Sequence, residues 1–146
     1  MLEIRAVRTE DLATWLDLWQ GYLKFYETEL TDDVTRYAFD RIIDPSSGLD
    51  GAIAWQDGRA VGLVHWLTHQ ATWSRDDYCY LEDLFVSPDA RGSGAGRSLI
   101  GHVRNWAKDA GCTKVYWLTA ETNTRARVLY DQVATRSGFI HYQLSL

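Results

Sequence analysis

Asp57-Gly58 sits between two apolar runs, Ala52 to Trp55 and Ala60 to Leu67. An Asp-Gly pair readily takes the positive φ angles of a two-residue hairpin turn. The middle of the chain is therefore committed to two antiparallel strands. The pattern around that hairpin limits the fold further. Leu2 to Val7 alternates apolar and polar residues, as a half-buried strand does. Thr9 stands where a helix N-cap belongs, and Leu12, Trp15, Leu16, Trp19, Tyr22, Leu23 and Tyr26 follow at helical spacing. Thr31 reads as a second cap, before a stripe of Val34, Tyr37, Ala38 and Ile42 that ends at Pro45.

After the hairpin, Tyr78 to Val86 predicts a strand that stops at Ser87-Pro88. Leu99, Ile100, Val103, Trp106, Ala107 and Ala110 mark a helix closed by Gly111. Lys114 to Thr119 predicts a strand. Ala126, Leu129, Tyr130, Val133 and Ala134 mark a last helix, and Gly138 to Leu144 a final strand. The order is βααβββαβαβ. Alternating strands and helices late in the chain require some parallel pairing. The expected fold is α/β of the mixed α+β kind: one mixed, mostly antiparallel sheet with helices on both faces. Residues 1–146 make a single domain, as their number allows.

Composition narrows the function. At 46% hydrophobic and 24% charged residues the chain is an ordinary globular sequence, which excludes disorder and collagen-like repeats. A net charge of −5 argues against a nucleic-acid partner. The charge is uneven: residues 1–80 carry a net −7 and residues 81–146 a net +2. Two readings of that asymmetry stand, a cationic partner and an anionic cofactor meeting in one site, or a solvated surface. Cys79 and Cys112 are too few for a disulfide framework and form no CxxC pair, which suits reduced thiols in the cytoplasm. The N-terminus has no apolar signal core, and no apolar run approaches the ~18 residues of a membrane span. No membrane association and no metal are expected. His65 and His69 are four apart on or just after a strand, where that spacing is about 13 Å and too wide for one ion.

Arg91-Gly92-Ser93-Gly94-Ala95-Gly96-Arg97-Ser98 joins a strand to a helix. Glycines let backbone N–H groups face a ligand, and the helix start adds free N–H groups and a positive dipole end. Such a loop suits a pyrophosphate; a plain glycine-rich turn is the other reading. A phosphate loop of the Walker type would need a lysine after the glycines, and the glycine spacing is not that of a dinucleotide fingerprint.

The run Arg-Gly-Ser-Gly-Ala-Gly resembles the R/Q-x-x-G-x-G/A motif of the GNAT superfamily, the GCN5-related N-acetyltransferases. Tyr80-Leu81-Glu82-Asp83-Leu84-Phe85-Val86 is similar to the strand before that motif, and Asn123-x-x-Ala126-x-x-Leu129-Tyr130 to the last-helix signature. The nearer resemblance is to the diamine and polyamine acetyltransferases, and the segment from Val133 to Tyr142 resembles a yeast histone and polyamine acetyltransferase. Ala134 to Ser137 lengthens the usual turn after the last helix. The resemblance implies transfer of an acetyl group from acetyl-CoA to a primary amine of a small cationic acceptor, by direct attack in a ternary complex. It also implies a homodimer. A protein-lysine acceptor and an acetyl-CoA sensor without catalysis are the alternatives.

The same resemblance distributes the roles. Leu84, Phe85 and Val86 would offer backbone groups to the pantetheine arm, and Arg91, Gly92, Ser93, Gly94, Ala95, Gly96, Arg97 and Ser98 would hold the pyrophosphate. Asn123, with Ala126 on the same helix, would contact the cofactor arm. Tyr130 would be the general acid. Glu82 would be the base or the anchor of the amine, acting directly or through water. A regular strand puts Glu82 on the face of Leu84 and Asp83 on the other, and a bulge would shift this by one residue. Asp32, Asp33, Trp19, Tyr22 and Tyr26 would line the amine pocket, or serve as helix caps and core. Arg125 and Arg127 face the cofactor phosphate or solvent.

Overall fold

The computed structural model describes residues 1–146. Its strands are β1 (Leu2–Ala6), β2 (Leu49–Gln56), β3 (Arg59–His69), β4 (Tyr78–Val86) and β5 (Lys114–Tyr116). Its helices are α1 (Leu12–Phe25), α2 (Asp32–Ile43), α3 (Ala95–Asp109) and α4 (Thr124–Val133). The strands form one sheet in the order β1-β2-β3-β4-β5. The first four pair antiparallel, and β5 joins β4 in parallel. This is the mixed α/β sheet expected from the residue pattern.

Local chemistry explains the joints. Asp57 and Gly58 both adopt positive φ, 51° and 81°, and close the β2–β3 hairpin with Gln56 opposite Arg59. Each sheet face then buries its own apolar set. Ile53, Leu63 and Phe85 pack under Trp15, Leu18, Trp19 and Leu23 of α1 and Phe39 and Ile42 of α2. Ala52, Ala54, Val61, Val64, Trp66 and Leu81 pack under Leu99, Ile100, Val103 and Ala107 of α3. Alternation along the strands feeds both cores, which is why these strands read as nearly continuous apolar runs. No helix is long and apolar enough to cross a membrane.

Three expectations about the elements are corrected. Thr9 does not cap α1; Thr9–Asp11 form one 3-10 turn, and α1 starts at Leu12. The buried Asp11 carboxylate accepts from the Arg8 backbone N–H at 2.8 Å and from Arg5 at 3.1 Å, so the acid rather than the threonine organises the entry. The strand expected over Lys114 to Thr119 pairs only as far as Tyr116. The final strand over Gly138 to Leu144 does not form: residues 134–146 carry no helix or strand, and Phe139, Ile140, Tyr142 and Leu144 are 75% to 85% exposed.

Two glycines test this packing in opposite senses. A Cβ on Gly62 would lie 2.7 Å from the Phe85 carbonyl oxygen, which is backbone and cannot step aside. Gly101, within α3, has nothing within 4 Å of its would-be Cβ. Gly62→Ala is expected to destabilise the protein by about 2 kcal/mol. Gly101→Ala is expected to stabilise it by about 0.5–1 kcal/mol. Urea unfolding of both variants checks the two signs.

Candidate active site

β4 is paired with β3 on one edge from Tyr78 to Val86, with Glu82 alone left out of the ladder. On the other edge only Tyr78–Tyr80 meet β5. Past Tyr80 the parallel strands part, and backbone groups of Leu84 to Val86 on that side have no strand to pair with. A cleft of about 420 Å³ opens there. Leu84, Phe85, Val86, Arg91, Gly92, Gly94, Ala95, Gly96 and Arg97 line one side; Asn123, Ala126, Leu129 and Tyr130 of the α4 segment line the other. Phe25 and Tyr26, at the end of α1, close the top.

The loop end of this cleft brings glycines, free N–H groups and arginines together, the chemistry that suits an anion. Gly92 and Gly94 take φ of 85° and 88°, where a side chain is strained. The first intrahelical bond of α3 runs from the Ser98 N–H to the Gly94 carbonyl at 3.0 Å. The N–H groups of Ala95, Gly96 and Arg97 in that first turn therefore have no helical acceptor and point out of the helix end. Gly96 is also close-packed: a Cβ there would lie 3.2 Å from Leu129 of α4. Arg91 lies over the Phe25 ring at 5.6 Å, and Arg97 donates to Gln132 of α4. Ser93 and Ser98 belong to the loop and helix start but do not line the cleft. Arg125 lines it, whereas Arg127 donates to the Glu121 carbonyl at 2.7 Å.

A bulge in β4 overturns the expected placement of Glu82. The ladder pairs His65 with Asp83 and then Trp66 with Leu81, so Glu82 is the extra residue. Leu81 stays in the α3 core, while Asp83 turns to the α1 face, opposite Leu84. Glu82 and Asp83 thus share the α1 side instead of dividing between the faces. The reason is the one-residue insertion, which resets the two-residue alternation.

Asp83 is held by a buried relay that the residue spacing did not reveal. The Trp15 Nε1–H donates to His65 Nε2 at 3.0 Å. An indole can only donate, so His65 Nε2 is unprotonated and its proton sits on Nδ1. Nδ1 then donates to Asp83 Oδ2 at 2.9 Å. His65 and Trp15 are fully buried. The sequence signal that existed was weak: a histidine inside an apolar strand and an acid beside Glu82.

Aromatic rings connect this carboxylate pair to the cleft. Trp15, Trp19 and Tyr22 stack in succession, with centroids 5.7 and 4.8 Å apart, and Tyr26 packs on Tyr22 at 4.9 Å. Burial, and then the adjacent Asp83 carboxylate, raise the Tyr22 phenol above its ordinary range. Tyr26 is raised by the same two causes. Trp19 is a core residue of this stack, and its indole N–H has no partner within the chain. Loss of surrounding water, and then repulsion from Asp83, raise the Glu82 carboxyl. Burial pushes Tyr130 up to about 12; its ring meets Trp117 edge-on at 5.4 Å. Tyr80 and Tyr116 pack with ring centroids 4.9 Å apart, tilted by 31°; burial, and then the Glu82 charge, raise both phenols.

Other expected residues lie elsewhere. Asp32 and Asp33 are exposed at the start of α2 and do not line the cleft. The Thr31 side chain beside it is the first cause that lowers the Asp33 pKa. Cys79 is buried, and burial pushes its thiol up to about 12, so it is no nucleophile at neutral pH. His69 donates from Nδ1 to the Gln70 carbonyl at 2.7 Å, and Tyr116 Oη lies 2.8 Å from its Nε2.

Comparison with known proteins places this geometry in a family. The model of the Acetyltransferase (GNAT) family matches residues 12–134. The chain is 36% identical over 142 residues to the D-amino-acid N-acetyltransferase HPA3 of Saccharomyces cerevisiae, covering 96% of this chain and 88% of that protein. It is 38% identical over 76 residues to a thialysine N-epsilon-acetyltransferase of Bos taurus, covering 52% and 44% of the two chains. Its fold superposes with a TM-score of 0.86 on AAC(6')-Iy in complex with the bisubstrate analog CoA-S-monomethyl-acetylneamine, at 21% identity over 100% of this chain and 99% of the other. With the family model spanning most of the chain and a relative of that identity aligned almost end to end, this protein belongs to the GNAT family and is an acetyl-CoA-dependent N-acetyltransferase.

Proposed function

We propose that residues 1–146 act as one cytoplasmic acetyltransferase domain that acetylates the primary amine of a small cationic acceptor. The observation that carries this reading is the bulge. It sets two carboxylates, Glu82 and Asp83, side by side next to the cleft, with Tyr22 and Tyr26 against them. A carboxylate pair with aromatic walls recognises an ammonium group by charge and by cation–π contact. The relatives' named acceptors, a D-amino acid and thialysine, are small amines of this kind.

The cofactor's fit rests on the cleft itself. The free N–H groups at the α3 start and the glycines that a Cβ would obstruct suit a pyrophosphate. The unpaired edge of Leu84 to Val86 suits an amide-bearing arm, and Asn123 and Ala126 face that edge from α4. Bound acetyl-CoA would supply an activated acetyl thioester. The chain's residues do the rest. Asp83, fixed by His65 and Trp15, holds the acceptor's cationic group. Glu82 takes the proton that the attacking amine must lose, directly or through a water. A free β4 N–H beside Leu84 polarises the carbonyl. Tyr130, protonated throughout the physiological range, returns a proton to the leaving sulfur.

Release of free CoA thiol tests the reading across D-amino acids, diamines, polyamines, thialysine, aminoglycosides and lysine peptides. Release with a small cationic amine is expected; silence across the panel with acetyl-CoA still bound overturns it in favour of a sensor. Tyr130→Phe should lower kcat by about 100-fold while leaving acetyl-CoA affinity, read by calorimetry, unchanged. Gly94→Val should weaken acetyl-CoA binding at least about tenfold, because the φ of 88° excludes a β-branched residue. The two carboxylates should separate in steady-state kinetics. Asp83→Asn should raise the acceptor KM by about tenfold or more, the value of one charge-assisted bond. Glu82→Gln should lower kcat and remove an acid limb from its pH profile. That limb lies above the ordinary glutamate range, since the base form is lost as pH falls through a raised pKa.

A further inference from the structure

A row of rings continues past the carboxylates along the sheet. Cys79 and Leu81 of β4 and Val115 of β5 belong to the α3 core. Alternation therefore puts Tyr78, Tyr80, Lys114 and Tyr116 on the α1 side, the side that Glu82 and Asp83 share. The three tyrosines are half-buried, and none of them lines the cofactor cleft. The Tyr80 and Tyr116 rings pack 4.9 Å apart, and the Glu82 charge bears on both phenols. His69 meets Tyr78 and Tyr116 edge-on, 5.7 Å from each. Its Nδ1 donates to the Gln70 carbonyl, so its Nε2 is bare and accepts from the Tyr116 hydroxyl at 2.8 Å. That bond fixes the Tyr116 ring in the row.

Lys114 ends the row with a positive charge. Its Nζ lies 4.1 Å from the Tyr78 ring centroid and 5.9 Å from that of Tyr116. The side chain is exposed and pairs with no carboxylate. Asp76 and Asp77 precede β4 but bear on Cys112, which packs against the α3 core. Ring faces hold an ammonium by its charge and leave N–H donors free for an anion. The row thus carries two acids at one end, aromatic rings between and an unpaired ammonium at the other. A molecule that satisfies both ends is itself dipolar.

We propose that Lys114 is a specificity-determining residue that receives a carboxylate of the acceptor, so that the preferred substrate is an amino acid acetylated on its terminal side-chain amine. The inference rests on the acetyl-transfer reading of the cleft and adds the acceptor's far end to it. Tyr78 and Glu82 are four residues apart on one strand, about 13 Å. A charge-assisted contact of about 3 Å at each end leaves about 7 Å between the reacting amine and the carboxylate. A lysine side chain has that reach, with its methylenes lying on Tyr80 and Tyr116. An α-amine sits too close to its own carboxylate to satisfy both ends. A diamine or polyamine of the same length brings a second cation against Lys114.

Steady-state kinetics with matched acceptors test this. Lysine and aminohexanoate carry the carboxylate; cadaverine and lysinamide do not. For the parent chain, kcat/KM for lysine should exceed that for cadaverine and lysinamide by about tenfold, with the difference in KM. Mass spectrometry should find the acetyl group on the side-chain amine of lysine. Lys114→Ala should bring the lysine-to-cadaverine ratio close to one, Lys114→Glu should reverse it, and Lys114→Arg should keep it. The rescue by arginine is one that a merely structural role would not give. Equal or better turnover of cadaverine by the parent chain, acetylation of the α-amine, or a ratio indifferent to Lys114→Glu would each overturn the carboxylate contact and leave acetyl transfer standing. Silence with every amine, acetyl-CoA still bound, would overturn both.

Discussion

Everything at the site depends on where β4 stops being shared. Along β3 it is fixed by an antiparallel ladder interrupted only at Glu82; toward β5 it is held for three residues and then released. A strand with one edge anchored and the other free is a rigid rod that still has hydrogen-bonding groups to offer. The cleft, the α3 start at its floor and the α4 wall opposite all follow from that parting.

The bulge at Glu82 is the second half of the same design. It costs one ladder position, and it brings two acids to one side of the sheet. The Trp15–His65–Asp83 relay then limits what those acids can do. Asp83 is committed to an orientation by a neutral, buried imidazole whose tautomer is fixed by an indole. Glu82, with a raised pKa and contact with solvent, stays free to exchange a proton. Two adjacent carboxylates are thus given different environments, which is how one pair can serve both binding and proton transfer.

Much of this was legible from residue order. The Asp57-Gly58 hairpin, the two helices before it, the glycine-rich loop and the α3 and α4 stripes all depend on local rules: turn dihedrals, helical spacing and caps. The glycine-rich loop and the helix start after it were legible because they need only residues adjacent in the chain. Glu82 was found, but its face was not, since alternation assumes a regular strand and a bulge leaves no mark in the residues themselves. Asp83 was passed over for the same reason. His65 and Trp15 lie 50 positions apart, and their hydrogen bond exists only because α1 crosses β3. Asp32 and Asp33 look like a binding pair in the sequence; they sit exposed at the start of α2 and do not line the cleft.

The sequence by itself determined the element order as far as the last helix, the mixed sheet with helices on both faces, the glycine-rich loop before a helix start and the presence of a phenol and acids suited to amine acetylation. Those properties are set within a few residues of chain, by backbone preference and side-chain period. The tertiary structure alone decided which acids share the α1 side of the sheet, how Asp83 is hydrogen-bonded, and that the last apolar segment stays out of the sheet. Those outcomes turn on register and on contacts between distant elements. A single inserted residue or one missing neighbouring strand changes them without altering any local pattern.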